Sequence, residues 1–268
     1  MRSPLKGVAA YVTHSFEEVG RFVATTVEVF KWTLRPPYRA GLLVQQMETI
    51  GVKSLFVVFL TAAFTGLVMV LQTTSLLAKF QAEGLVGSSV ALAVTRELGP
   101  VFTALMVTGR AGSAMATELG TMRVTEQIDA LSTMAVNPVQ YLIVPRVIAS
   151  MLMMPVLAAI FDVVSFFGSY VMGVWMLGID QGVFVARTRH YLDPIDITSG
   201  LYKAVVFGAI VALISCDKGF RAEGGAKGVG EATTKAVVVS SVAILIADYF
   251  LNVLMTNYLP GYLLGGPR

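Results

Sequence analysis

The stretch from Ser54 to Ala78, SLFVVFLTAAFTGLVMVLQTTSLLA, contains no Asp, Glu, Lys, Arg or His. A helix of this length reaches about 37 Å at 1.5 Å per residue, and the hydrocarbon core of a bilayer is roughly 30 Å thick. Apolar runs in the cores of soluble proteins seldom exceed about 14 residues. The stretch therefore predicts a transmembrane helix, and with it an integral membrane protein.

The composition of the whole chain agrees with this prediction. Hydrophobic residues make up 55% of the 268 residues and charged residues 14%, with a mean hydropathy of +0.72, whereas soluble domains average about 25% charged residues. The single cysteine excludes an internal disulfide or a zinc cluster, and the sequence offers no metal-ligand spacing. The net charge of +3 does not indicate nucleic-acid binding, because basic residues in membrane proteins fix orientation.

Four more apolar stretches follow the first, and each carries at most two charges. They are Gly84 to Gly109 with Arg96 and Glu97, Val147 to Ile179 with Asp162, Ile197 to Cys216 with Lys203, and Ala236 to Leu259 with Asp248. Five spans result, so the predicted fold class is an all-α integral membrane protein. Most of the 20 basic residues fall on one side if the N-terminus is cytoplasmic, as the positive-inside rule requires.

The segment before the first span has a different pattern. Apolar residues recur at three- and four-residue steps, and charged residues occupy much of the remaining surface until Pro36 and Pro37 end the pattern. The stripe comprises Val8, Val12, Phe16, Val19, Val23, Val27, Phe30 and Leu34. We expect residues 1–37 to form an amphipathic helix in the cytoplasmic interface and residues 38–268 to form a five-span transmembrane domain. A soluble helix packed on its own domain is the alternative.

Arg96 and Glu97 stand inside the second apolar stretch, directly before Gly99 and Pro100. A charge at the centre of a bilayer costs roughly 2.5 to 3.5 kcal/mol on insertion scales, so the pair should face protein or a water-filled cavity. Pro100 should loosen the helix there, because it lacks a backbone donor and clashes with the carbonyl of Arg96. A polar site in a substrate path is one interpretation. A position at the outer membrane surface, with the span starting after the pair, is the other.

Two connections between spans also carry information. From Glu118 to Pro145 a helical pattern with Glu118, Arg123, Glu126 and Asp129 on one side predicts an amphipathic helix to Met134 that could dock on a cytoplasmic motor. Interfacial loop helices are common in other membrane proteins as well.

The glycine-rich segment Asp217 to Lys235 lacks the spacing of a phosphate-binding loop and is interpreted as a flexible connection. Any ATP must therefore be bound by a partner chain, and no cofactor is expected here.

A stripe on the first span contains Met69, Gln72, Leu76 and Phe80 at helical spacing. Such a stripe usually faces lipid or core, and Gln72 favours the wall of a cavity. Asp162 and Asp248 should turn inward and bond to neighbouring helices.

The run from Arg96 to Arg146, RELGPVFTALMVTGRAGSAMATELGTMRVTEQIDALSTMAVNPVQYLIVPR, resembles the signature of MlaE/YrbE-type permeases, the membrane subunits of ABC transporters that work with lipid-binding MCE proteins. The segment ATTKAVV from Ala232, with Ser240, Ser241 and Asp248, is similar to the final span of that family. The resemblance extends to about Leu259. It implies a homodimer, two cytoplasmic ATPase subunits, a periplasmic MCE hexamer and, in some systems, a STAS-domain partner.

The resemblance also implies a phospholipid cavity between two permease subunits. Its wall in this chain would include Met69, Leu76, Phe80, Glu97 and Leu98, and Arg96 could attract a headgroup phosphate. Phe80 stands where a relative has tyrosine, so a hydroxyl contact is missing there. The segment from Glu118 to Met134 would be the coupling helix on the ATPase.

The resemblance implies transport of phospholipid between a bacterial inner membrane and an MCE protein, which helps to maintain outer-membrane lipid asymmetry. A proton- or ion-coupled secondary transporter that uses Arg96, Glu97 and Asp162 is the main alternative, and a membrane scaffold without transport is another. The absence of a nucleophile–base set predicts that the chain is not an enzyme.

Overall fold

The computed structural model describes residues 20–33, 35 and 39–258, and this part of the chain is helical with no strand. Five helical runs are long and apolar enough to cross a membrane. They are Ala40–Phe80, Glu83–Val124, Val139–Met176, Pro194–Phe220 and Gly225–Asn257. The prediction of an all-α protein with five spans is confirmed.

Within these runs the helices are separated by short π-helical or 3₁₀ turns. In chain order the helices are α1 (20–33), α2 (Ala40–Ile50), α3 (Leu55–Leu77), α4 (Val86–Ala93), α5 (Gly99–Val107), α6 (Ser113–Val124), α7 (Gln127–Thr133), α8 (Val144–Tyr170), α9 (Gln181–Tyr191), α10 (Pro194–Phe220) and α11 (Gly225–Tyr258). Helices α4, α5 and α6 form one span, joined by π-helical segments at Val94–Leu98 and Thr108–Gly112.

Close contacts at small residues give the direction of each span. On α3, Gly66 lies so close to the backbone of Ser165 that a Cβ would collide with it, and further along Val70 approaches Gly173. Spans one and three are therefore parallel. In spans two and four, Gly200 meets the carbonyl of Thr95 and, further along both helices, Gly219 meets Ala116. Because the contacts advance in the same direction along both chains, these two spans are also parallel. Small residues let transmembrane helices approach closely.

We call the end of the bundle at the start of α3 and the end of α10 the proximal end. The opposite end, at the end of α3 and the start of α10, is the distal end.

The N-terminal segment is described only from residue 20, so most of the predicted helix 1–37 lies outside the described residues. Helix α1 buries Val29 against the bundle, while Val23, Val27 and Phe30 of the predicted apolar stripe are exposed. The Arg221 guanidinium ties α1 to the turn between α10 and α11 by donating to the Arg21 carbonyl and the Thr25 hydroxyl. The exposed stripe remains available to a membrane interface.

The glycine-rich segment Asp217 to Lys235 is not a flexible connection, so that prediction is wrong. Helix α10 runs to Phe220 and α11 starts at Gly225, leaving a short turn between them. Gly224 and Gly225 supply the positive φ angles of that turn. The rest of the segment is helical because Val229 and Ala232 bury an apolar face against Ala222 and Val124.

The predicted helix from Glu118 to Met134 is also wrong in its extent. Glu118 and Arg123 belong to α6, the end of the second span, and Asp129 belongs to the short helix α7. Glu126 breaks the helix between them with a left-handed conformation, φ 60°. Helix α9, which lies between the third and fourth spans, was not predicted.

Candidate functional site

The site begins at a distortion of the second span. The Gly99 N–H reaches back to the Val94 carbonyl, which closes the π-helical turn Val94–Leu98 directly before Pro100. The loosening predicted from Pro100 thus takes the form of a π-bulge, a feature often found at functional sites. The bulge carries Arg96 and Glu97, which contact two different groups of residues.

Glu97 contacts a buried network around Lys203. The Lys203 side chain is fully buried, and its ammonium donates to the Asn252 side-chain oxygen (2.7 Å), the Arg96 carbonyl (2.8 Å) and Glu97 Oε2 (3.0 Å). An ammonium has three protons, and these three acceptors use them. Asp248 Oδ1, at 3.2 Å from the ammonium, therefore makes an ionic contact without a hydrogen bond.

Asn252 connects the two carboxylates of this network. Its amide nitrogen donates to Glu97 Oε2 at 2.9 Å and to Asp248 Oδ2 at 3.3 Å. Since Asn252 and Asp248 are one turn apart on α11, the network joins the second, fourth and fifth spans. We call Glu97, Lys203, Asp248 and Asn252 the polar network.

Arg96 points toward the distal end and pairs with Asp196. Its Nε and Nη2 atoms lie 2.7 and 2.6 Å from Asp196 Oδ1, while Asp196 Oδ2 accepts from the Asp193 N–H and completes the capping box of α10. Asp196 is in the first turn of α10, and Lys203 follows seven residues later, about 10 Å further into the bundle. The predicted headgroup contact, Arg96, therefore already has a buried carboxylate partner.

The charges of this region do not cancel completely. Counted as ionised, the polar network has two carboxylates for one ammonium, and the Arg96–Asp196 pair is neutral. Lys203 is fully buried, whereas the Glu97 side chain is 39% exposed and that of Asp248 is 18% exposed. The arrangement thus presents hydrogen-bonding carboxylates at the surface of an otherwise apolar bundle, where a polar group of a ligand could bind.

The other predicted cavity residues lie elsewhere on the subunit. Leu98 and Met69 are partly buried against the core, while Leu76 and Phe80 are 59% and 78% exposed. Helix α3 packs on α8 and α4, and the polar network lies between the bulge, α10 and α11. The structure of one subunit therefore does not bring the α3 stripe and Glu97 into a single enclosed cavity.

Asp162 is separated from both groups. It lies against Gly99, where a Cβ would collide with its carboxylate, and it lines an apolar cavity of about 280 Å³ between α4 and α8. Arg96 and Glu97 have other partners, Asp196 and Lys203. The three residues of the alternative secondary transporter thus do not form one titrating cluster.

The predicted coupling residues occupy the proximal end. Glu118 Oε2 lies 2.8 Å from the guanidinium of the buried Arg146, which also donates to the Leu142 carbonyl. Arg123 and Asp129 form an exposed ion pair of 2.6 Å that bridges α6 and α7 across the turn at Glu126. Together they give a charged surface held in place by the start of α8.

Sequence reasoning missed the roles of Lys203, Asn252 and Asp196. In the sequence Lys203 is only a charge near the start of a span, and the position of a lysine inside an apolar stretch is the signal that indicates a carboxylate partner. Asn252 and Asp196 carried no such signal, because an amide in a span and an acid in a first helical turn both have ordinary structural explanations.

Five spans, three of which are joined by a charged network around the buried Lys203, define a multi-pass membrane protein with a polar site on its helical bundle. The family model described as "Permease MlaE" matches residues 43–254. The chain belongs to the MlaE permease family, as the resemblance indicated, and is a permease subunit of the inner membrane that is not itself catalytic.

Curated relatives agree with this assignment. A probable ABC transporter permease protein of Rickettsia felis is 45% identical over 88% of this chain and 91% of the relative. The intermembrane phospholipid transport system permease protein MlaE of Haemophilus influenzae is 40% identical over 80% of this chain and 82% of the relative. The chloroplast protein Trigalactosyldiacylglycerol 1 of Arabidopsis thaliana is 44% identical over 78% of this chain and 59% of the relative.

Proposed function

We propose that this chain is the permease subunit of an ATP-driven phospholipid transporter that moves lipid between the inner membrane and a periplasmic MCE protein. The name of the Haemophilus relative, which specifies intermembrane phospholipid transport, supports the substrate, and the name of the Rickettsia relative supports an ATPase partner. In this proposal the chain is a homodimer with a cytoplasmic ATPase dimer, a periplasmic MCE hexamer and, in some assemblies, a STAS-domain protein.

The observation that carries the proposal is the polar network. A phospholipid combines acyl chains with a charged headgroup, so its path needs apolar walls and few polar groups. Glu97, partly exposed beside the buried Lys203, supplies such a group within an apolar bundle. In the proposed homodimer the exposed Leu76 of α3 and Phe80 of the 3₁₀ turn that follows it complete the apolar wall, which explains why one subunit alone does not enclose the cavity.

The proposed orientation places the N-terminus and the proximal end in the cytoplasm. The surface formed by Glu118, Arg123, Glu126 and Asp129 then faces the ATPase, and the polar network lies toward the periplasmic partner. A reporter fused after Arg268 tests the orientation, because an odd number of spans requires it to be periplasmic. A cytoplasmic reporter would contradict the topology.

The function itself is tested with the purified assembly in nanodiscs. We expect an ATPase to co-purify with the chain, its activity to respond to phospholipid, and labelled lipid to reach the MCE partner only with ATP. Phospholipid transfer that persists without an ATPase and follows a pH gradient would refute the proposal and favour a secondary transporter.

The lipid cavity is tested by Leu76→Arg, which puts a charge on the proposed apolar wall. Leu71→Arg is the matched control, because Leu71 is 44% exposed and lies five residues away, about 140° around the same helix. We expect Leu76→Arg to abolish transfer and Leu71→Arg to retain it. Equal transfer by both variants would remove Leu76 from the lipid path.

A further inference from the structure

A second cavity lies at the proximal end, far from the polar network. Its volume is about 320 Å³, and its walls come from the end of α1, the start of α2 and the segment that leads into α8. This is within the range of about 300 to 1,000 Å³ that is usual for small-molecule sites. The cavity uses no residue of the proposed transport path.

Two arginines give this cavity its charge. The Arg39 guanidinium carbon lies 4.5 Å from the centre of the Tyr141 ring, and that of Arg35 lies 5.7 Å from the centre of the Trp32 ring. Neither arginine forms an ion pair with a carboxylate among the residues that the structure describes. A guanidinium whose neighbour is an aromatic ring rather than a carboxylate keeps its N–H donors available for a phosphate, which it binds with two parallel hydrogen bonds.

The backbone adds further anion-binding character. Helix α2 begins at Ala40, which lines the cavity, and its first turn contains no acidic residue. The N-terminus of a helix carries partial positive charge and unsatisfied N–H groups. Gln140 holds the segments together, because its amide nitrogen donates to the Arg35 carbonyl at 3.2 Å.

The remaining wall is apolar and continues into the spans. Leu43 of α2 and Val144 and Ile148 of α8 line it, and both helices belong to membrane-crossing runs. A free anion would gain nothing from this wall, whereas the glycerol and upper acyl groups of a lipid would be buried against it. Basic pockets between spans on the cytoplasmic side of membrane proteins suit anionic headgroups.

We propose that this cavity binds the phosphodiester headgroup of an anionic phospholipid in the leaflet at the proximal end. Arg39 and Arg35 contact the phosphate, and the lipid's upper acyl chains lie along α2 and α8. The leaflet is cytoplasmic under the orientation proposed above, but the site itself does not depend on that orientation or on transport.

Trp32 offers a readout that is specific for this site. The chain has two tryptophans, and Trp175 is at the distal end and 70% exposed, so Trp175→Phe leaves Trp32 as the only tryptophan. The full-length Trp175→Phe protein is placed in phosphatidylcholine nanodiscs with increasing fractions of phosphatidylglycerol brominated near the headgroup. We expect saturable quenching of Trp32 emission, whereas brominated phosphatidylcholine should quench only in proportion to its abundance.

The variants Arg39→Gln and Arg35→Gln, each in the Trp175→Phe background, test the arginines. A basic residue near an anionic lipid surface contributes about a five-fold change in affinity, so each variant should raise the half-saturating lipid fraction about five-fold. Lys53→Gln is the matched control, because Lys53 is basic, exposed and at the same end of the bundle but outside the cavity. It should behave as the parent protein does.

Three results would overturn the proposal. One is equal quenching by the two brominated lipids, which would mean a general lipid contact. Another is unchanged half-saturation in both arginine variants when gel filtration shows them folded. The third is displacement of the brominated lipid by inorganic phosphate at millimolar concentration and constant ionic strength, because a free anion that outcompetes a lipid held by the apolar wall would identify a free-phosphate site. None of these results bears on the transport function, which is measured with the complete assembly.

Discussion

Replacement of Lys203 with methionine is the most direct perturbation of the polar network. Methionine matches the length and volume of lysine but supplies no charge and no donor. The change removes the three hydrogen bonds of the ammonium and its ionic contact with Asp248. Two carboxylates then remain without a counter-charge, one of them only 18% exposed.

The expected cost follows from these contacts. Interhelical hydrogen bonds in membrane proteins average about 0.6 kcal/mol, so three of them contribute about 2 kcal/mol. Removal of one member of a buried ion pair costs about 3 to 5 kcal/mol in soluble proteins. We take the lower end, because the Glu97 side chain is 39% exposed and can be hydrated after the change. We therefore expect Lys203→Met to lower the free energy of unfolding by about 3 kcal/mol, more than a hundred-fold in the folding equilibrium.

Denaturation by sodium dodecyl sulfate, followed by tryptophan fluorescence, measures this loss. The neutral triple variant Glu97→Gln, Lys203→Met and Asp248→Asn is the control, because it removes the charges together and should recover at least half of the lost stability. Lipid transfer should stay low in the triple variant if the network contacts lipid. A Lys203→Met protein as stable as wild type would refute the energetic reasoning, and normal transfer by the triple variant would show that the network is only structural.

Three further predictions concern other parts of the molecule. Glu97→Lys should impair lipid transfer while the protein still assembles, because it places two ammonium groups together at the bulge; normal transfer would contradict the assigned role of Glu97. Charge reversal of Arg123 and Glu126 should reduce co-purification of the ATPase without changing thermal stability by much, and an undiminished yield would exclude this surface from docking. Gly66→Ala should destabilise the protein by about 1 to 3 kcal/mol in detergent-induced unfolding, because its Cβ collides with the backbone of α8. Gly41→Ala is the control, since Gly41 has open space around it, and equal stabilities would show that the bundle relaxes around the added methyl group.

The sequence was sufficient to predict the spans because the bilayer imposes a strong constraint. The first predicted span, Ser54 to Ala78, agrees with α3 at Leu55–Leu77 to within a residue at each end. Backbone polar groups in lipid must be satisfied internally, so an apolar run of this length can only be a helix. The predicted effect of Pro100 on the second span also followed from local chemistry.

The conformations of the connections between spans were harder to predict, because they depend on tertiary contacts rather than on the constraint that the bilayer imposes. Gly228 and Gly230 suggested a flexible loop, yet they lie in the first turns of α11, whose nearby Val229 is buried against its neighbours. Helix propensity costs of about 1 kcal/mol per glycine were outweighed by that burial. Conversely, the pattern through Glu126 was helical, but the left-handed conformation of this residue redirects the chain and allows Arg123 to pair with Asp129.

The polar network shows why charges inside spans could be noticed but not paired from the sequence. Insertion costs require each charge to face inward, and this holds for Lys203 and in part for Asp248. Which carboxylate meets which cation depends on how three spans pack, and the π-bulge turns Glu97 toward Lys203 while Arg96 reaches Asp196. The same contacts therefore hold the second, fourth and fifth spans together and form the proposed lipid site. For this reason impaired transfer in a single charge variant such as Glu97→Lys is interpreted together with its measured stability, and the charge-neutral combination at Glu97, Lys203 and Asp248 assigns the network to one role or to both.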